Sequence, residues 1–247
     1  MSKKVRISIV LVVSVFIAAL AGVGVYQQAS VVESVLQITP AEPAKPADVR
    51  KQALAGVRGK NKPDAKQVEN LEKSKTWVGA DKGGYFQLPD YGHRKDVVSA
   101  QSNDNLQQNG TFTQTFAEKS DKIFVTHTKV AAKSQIAQQM NQDVTQLAQQ
   151  SMQSLQGLKN LSGHQLNKDA IVLTGYSDTE NKKQGQVKEF ISIVFVRDSY
   201  GNLHMYSVES RQDKESVAKN IATLTTLAGS RTEAQPDGIS FSKHVQK

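Results

Sequence analysis

Cysteine is absent from the 247 residues, and that absence excludes much chemistry at once. It removes disulfide frameworks, thiolate nucleophiles, thiolate zinc sites and a lipid anchor carried on an acylated cysteine. An oxidising compartment remains compatible, because a core of ordinary size needs no crosslinks. The chain also lacks a Gly-x-Ser-x-Gly nucleophile elbow, the strand-to-helix turn on which α/β hydrolases mount a serine. The run Gly79-Ala80-Asp81-Lys82-Gly83-Gly84 has the glycines of a phosphate loop but not its Gly-Lys-Ser/Thr ending, and it reads as a flexible lead-in. No cofactor and no catalytic residue is expected from these patterns.

The five histidines stand apart at positions 93, 127, 164, 204 and 244, without the spacing that would put two imidazoles on one metal. No metal site is expected. His127 shares its strand face with Ile123 and Val125, so it reads as a satisfied, partly buried side chain. His204 and Tyr206 share a face two residues apart and read as packed or edge positions, with the lining of a groove as the alternative. Aromatic residues are sparse at 6%. Phe112 and Phe116 share a face with Gln114 between them and no interleaved base, which is a core pattern rather than a stacking platform for nucleic acid. Trp77, the only tryptophan, stands at the front of the folded region, closing the core or contributing to a contact surface.

A formal net charge of +8 invites a nucleic-acid reading until the charges are located. Residues 1–30 hold three basic and no acidic groups, residues 31–75 nine and six, residues 76–230 sixteen and fifteen, and the remainder three and two. The excess thus belongs to the N-terminal segments, and no nucleic-acid partner is expected. Arg50, Lys51, Arg58, Lys60 and Lys62 form a basic cluster that reads first as a solvated tether and alternatively as a contact for acidic lipid, cell wall or a protein partner.

Lys3, Lys4 and Arg6 precede Ile7 to Tyr26, twenty residues without a charge. As a helix such a run spans roughly 30 Å, the thickness of a bilayer's hydrocarbon core. The basic residues favour a cytoplasmic N-terminus, giving a single-pass protein of the inner (cytoplasmic) membrane with the remaining chain in the periplasm. The alternative is a signal peptide cut after Ala19-Leu20-Ala21, which would release the chain to the periplasm.

Four segments follow from composition: a membrane anchor or signal over 1–30, a Pro/Ala/Lys-rich linker over 31–79, an α+β globular domain over 80–230, and a polar tail over 231–247. The linker's Pro40, Pro43, Pro46 and Pro63 with few large apolar residues predict an extended spacer. Within the domain, Tyr85 to Pro89 predicts a short strand, and Thr111–Ala117 with Lys122–Val130 predict a hairpin turning at Ser120-Asp121. One long amphipathic helix is expected over Ser134–Leu158, with Ile136, Met140, Val144, Leu147, Ser151 and Leu155 on its stripe. A strand over 170–176, a polar turn over 178–185, a hairpin of 187–197 with 203–209, and a helix over 213–228 stopping at Gly229 complete the order. Phe190 to Val196 is apolar on both faces, as in a central covered strand. The expected fold is an antiparallel sheet with two main helices packed on it.

That order, opened by Tyr85-Phe86-Gln87-Leu88-Pro89 and carrying Gly201-Asn202-Leu203 and a last helix with Ala218, Asn220, Ile221 and Leu224, resembles the PsbP-like fold, and in particular the DcrB family of bacterial envelope proteins. The resemblance covers about residues 80–229. It implies a small envelope domain of the α/β sandwich kind, as a rule without enzymatic activity. Members of that family are usually anchored through a lipidated cysteine, which this chain lacks. The expected function is a membrane-tethered, non-enzymatic interaction domain of an envelope or secretion assembly, binding an envelope protein or the cell wall. The alternative is an envelope hydrolase whose site is assembled from distant segments.

Overall fold

A computed structural model describes residues 41–80, 83–90, 97–105, 110–118, 123–155, 157–181, 185–233 and 236–237. The apolar run 7–26, and with it the expected membrane helix, lies outside the described residues. Among the described residues no helix is long and apolar enough to cross a membrane.

The fold is α+β. Ten strands are described: β1 Lys75–Ala80, β2 Gly84–Pro89, β3 Val97–Asn105, β4 Thr111–Glu118, β5 Ile123–Val130, β6 Lys159–Asn167, β7 Ala170–Asn181, β8 Gly185–Arg197, β9 Leu203–Arg211 and the two-residue β10 Arg231–Thr232. The helices are α1 Pro46–Gly56, α2 Ala65–Leu71, α3 Gln135–Gln139, α4 Val144–Ser154 and α5 Lys214–Gly229, with a 3-10 turn at Gly59–Asn61. Seven strands form one antiparallel sheet in the order β3-β4-β5-β9-β8-β7-β6. A second antiparallel sheet of three has the order β1-β2-β10.

Both faces of the large sheet are covered, and the strand sequences show why. On β8, Phe190 and Val194 join one cluster of buried residues while Ile191, Ile193 and Phe195 join the other. A strand with apolar groups on both sides is stable only where both are shielded from water. Helices α3 and α4 cover one face through Ile136, Met140, Val144 and Leu147. Helix α5 covers the other through Val217, Ile221 and Leu224. Asp213 caps α5 by accepting from the Ser216 amide at 2.9 Å, the short-range bond that satisfies a free helix N–H. Asn220 pins the same helix to the sheet: its amide donates to the carbonyls of Phe190 at 3.2 Å and Val208 at 2.9 Å, and its oxygen accepts from Ser192 Oγ.

Four expectations are corrected. The linker predicted over 31–79 is in part a structured cover. Ala44, Val49, Ala53, Leu54, Val57 and Val68 lie in the core with α5, so the small apolar residues between the prolines are its inward face. Arg50 ties α1 to α2 by reaching Glu69 and Glu72 at 2.7 Å each. Pro46 opens α1 at a position where a missing N–H costs nothing. The strand β1 also falls within the expected linker, pairing with β2 from Lys75↔Pro89 to Ala80↔Gly84.

The helix predicted over 134–158 is two helices. Ser134 caps α3 through the Ala137 amide, and the chain leaves α3 with Asn141 at φ 50° and Gln142 at φ 53°. The Gln142 amide bonds to Ala137 O at 2.8 Å and the Asn141 amide to Gln138 O at 3.0 Å, the paired closure of a Schellman motif. Asp143 then caps α4 by accepting from the Thr145 amide at 2.8 Å. The apolar stripe survives the break because the register on the sheet is kept.

Finally, Arg231 opens β10 rather than a free tail, pairing with Phe86 while Thr232 pairs with Tyr85. The expected turn over 178–185 is mostly strand, since β7 runs to Asn181 and pairs with β8 as far as Asn181↔Gly185. The turn at Ser120-Asp121 lies outside the described residues, although the two strands flanking it pair as expected.

Candidate functional site

A dense group of ionisable side chains lies between the two sheets, and the strand register builds it. On β5 and β9 the pair His127↔Tyr206 is directly opposed. With a side-chain period of two, His204 joins them on the same face. Gln114 on β4 is opposite His127. Phe86 of β2 closes the layer from above, edge-on to His127, Tyr206 and Phe116 with centroids 5.3, 5.5 and 5.4 Å away. His127 lies flat on Tyr206 at 4.6 Å and 14°. His127, His204 and Tyr206 are completely buried.

The hydrogen bonds run in one direction. Asp198, from the β8–β9 turn, accepts from His204 Nε2 at 3.0 Å. With that nitrogen protonated, His204 Nδ1 is an acceptor, taking one bond from His127 Nε2 at 3.1 Å and another from the Arg231 guanidinium. His127 Nδ1 then accepts from Gln114 Nε2 at 2.9 Å. This network assigns the Nε2–H tautomer to both rings. Arg231 also approaches Asp198 through Nε at 3.4 Å and bonds Glu233, which Lys129 meets at 3.2 Å. Asp198 is held further by Asn202 Nδ2 at 2.8 Å.

Burial, reinforced by the neighbouring ring, Arg231 and Lys129, pushes the His127 pKa well below the ordinary value. Burial and then Arg231 push His204 down to about 3 despite Asp198. Burial works against ionisation of Asp198, but bonds from His204 and Asn202 and the Arg231 charge prevail and hold its carboxyl below the usual carboxylate range. Burial raises the Tyr206 phenol. At neutral pH the site therefore holds two neutral imidazoles between a fixed cation and a fixed anion.

Two glycines let the β1–β2 hairpin settle on this cluster. A Cβ on Gly83 would fall 2.4 Å from a Phe112 ring carbon and 2.6 Å from Gln114 Nε2, and one on Gly84 would fall 2.9 Å from an Arg231 nitrogen. The run Gly79–Gly84 thus serves close approach, and φ of +79° at Gly84 needs the missing side chain as well.

His127, read in the sequence apart from the pair His204 and Tyr206, is brought to them by the pairing of β5 with β9. Phe112 and Phe116 are buried as a core pattern predicts, and Trp77 is half-buried on β1. The sequence reading missed Gln114, Asp198, Arg231 and Glu233 as members of the cluster. Asp198 was legible only as a turn residue, and Arg231 only as the start of a polar tail. An Asp–His contact in a protein interior also occurs in hydrolases, but here the second nitrogen of His204 is taken by Arg231 and His127. The arrangement can fix tautomers and lock strands β4, β5, β9 and β10 to the β8–β9 turn. Among the described residues no group of three or more His, Asp or Glu is arranged to hold a metal ion. No protein-family model matches the chain, and no curated protein matches it.

Proposed function

We propose that the chain is a membrane-tethered extracytoplasmic domain that binds an envelope protein without catalysing a reaction. In this reading residues 7–26 anchor it with the N-terminus inside, and the domain is a PsbP-like sandwich related to the DcrB family. The element order from β2 to α5, and the absence of cysteine that leaves a helix as the visible means of attachment, support that reading.

The observation that carries it is the β6 edge of the large sheet. Among the described residues strand β6 is paired on one side only, to β7, and Gly163, His164 and Gln165 are exposed. Their ladder with β7 is regular from Ser162↔Thr174 to Gln165↔Ile171 and irregular on either side. An unpaired edge offers main-chain donors and acceptors to an extended partner segment. The irregularities limit such a segment to a short register. The ionisable cluster, by contrast, is buried and its groups satisfy one another, which favours binding over hydrolysis.

A photo-crosslinking amino acid at His164 or Gln165 should give a discrete adduct in intact cells, with none from Gln138, an exposed position on α3. Adducts from Gln138 and none from β6 would overturn the edge as the binding surface.

A further inference from the structure

The segment expected to be a solvated tether is instead the outer cover of α5, and its charges are thereby sorted. In α1 the inward positions are Val49, Ala53 and Gly56. Lys51 lies on the opposite side of the helix, about 200° from Val49 at 100° per residue, and is exposed. In α2, Val68 is buried and Lys66 exposed. Lys60 and Lys62, between the helices, are exposed too. Residues 45–75 contain nine basic and four acidic groups, a net of +5. Of the four acids, Glu69 and Glu72 are engaged by Arg50, and Asp64 by Lys214 at 3.4 Å. Asp48 alone offsets the outward lysines. The side chains that fold this segment and those that charge it are on opposite sides.

Its distance from the apolar run supplies the second constraint. Eighteen chain steps lead from Tyr26 to Ala44, the first of the buried core residues. Even at full extension they reach at most roughly 65 Å, and any less extended path brings the cover nearer to the bilayer.

We propose that the α1–α2 cover docks on the anionic headgroups of the membrane that holds the N-terminal segment, through Lys51, Lys60, Lys62 and Lys66. The proposal rests on the anchored reading above and adds an orientation to it. Basic side chains near an anionic surface each strengthen association about fivefold at moderate salt, and the effect fades within a Debye length. Four of them on one cover suffice to orient a domain already held close by its tether.

The absence of cysteine makes the test direct. A single donor dye on Ala55→Cys, an exposed α1 position, is placed in the full chain reconstituted in phosphatidylcholine vesicles with or without about 30% phosphatidylglycerol. A headgroup-attached acceptor reports proximity. Energy transfer should rise with phosphatidylglycerol and fall back in 0.5 M NaCl. It should also be lost in the K51Q/K60Q/K62Q/K66Q chain, whereas a donor on Gln138→Cys should respond to none of these changes. Circular dichroism on the quadruple variant checks that it is folded. Equal transfer in both lipids, or transfer that survives the four substitutions, would overturn docking. Sedimentation with insoluble cell wall that depends on the same lysines, without any lipid dependence, would overturn it in favour of a different surface. Release of the chain from phosphatidylcholine vesicles by alkaline carbonate would defeat the anchor alone. Flotation of the released chain with phosphatidylglycerol vesicles, but not with phosphatidylcholine, then decides docking by itself.

Discussion

His204 has an acid on one ring nitrogen and a cation on the other, and burial, followed by the cation, dominates its titration. Its pKa falls from 6.5 to about 3 in the folded state. The unfolded chain therefore binds the proton first as pH drops below 6.5, and stability is lost across that interval. Each histidine so placed contributes a slope of about 1.4 kcal/mol per pH unit, and His127, also lowered, adds to it. Asp198 gives up its own contribution only at lower pH, below its ordinary 3.8. Glu209 has the opposite sign. Burial, with Glu189 beside it, raises its pKa well above 4.5, and its Oε1 has no hydrogen-bond partner among the described residues. Its unfolded form ionises first as pH rises, so it subtracts stability above 4.5. Glu209→Gln should accordingly raise stability at pH 7 by about 1–2 kcal/mol. It should also steepen the rise between pH 4.5 and 6.5, because the opposing group is gone. Urea midpoints across that range check both, and a destabilised Glu209→Gln with an unaltered slope would mean that the carboxylate has an essential partner.

At the scale of elements, α1 is seated by one close approach. A Cβ at Gly56 would stand 1.9 Å from Thr174 Oγ1 on β7, so Gly56→Ala should cost about 2 kcal/mol through forced displacement. It should also render residues 44–57 sensitive to protease. Thr174→Ala in the same chain should restore most of the melting temperature. No recovery would show that the helix moves rather than the strand. The elements legible in sequence were those whose apolar residues form a clear pattern: β2, β4, β5, the first part of β7, β8, β9 and α5. Strand β6 was missed because Asn160, Ser162, His164, Gln165 and Asn167 give an edge no apolar alternation to read. The break between α3 and α4 was missed because it keeps the stripe and is written only in Asn141-Gln142-Asp143, three residues that accept a left-handed turn and a cap. The cluster around His204 was illegible for another reason. Its members come from β4, β5, β9, a turn and β10, and only the register between strands brings them within bonding distance.

For the whole molecule, the decisive difference from the sequence reading is that residues 44–71 belong to the core. Removing them would expose Val172, Ala218, Ile221 and their neighbours. A chain beginning at residue 80, the boundary that composition suggests, should aggregate or bind a hydrophobic dye, while one beginning at residue 41 should be monodisperse. Size-exclusion chromatography of the two decides it, and a well-behaved chain from residue 80 would refute the cover's structural role. The misreading has a physical source. Small residues such as Ala53 and Gly56 bury little area each, so a segment rich in them looks solvated until a helix is found against which they fit.

The same cover has a consequence for the order of events during synthesis. Helix α1 finds its main support in α5, and roughly 160 residues separate the end of one from the start of the other. Glu42 already waits for Asp169, 127 positions later. A chain emerging from its N-terminus must therefore hold its first helices without a partner until nearly all of it has been made. Arg231, the cation of the buried cluster, arrives later still. Closure is consequently a late, long-range event, of the kind that folds slowly. A chain threaded across a bilayer in extended form would meet no finished domain on the near side to obstruct it.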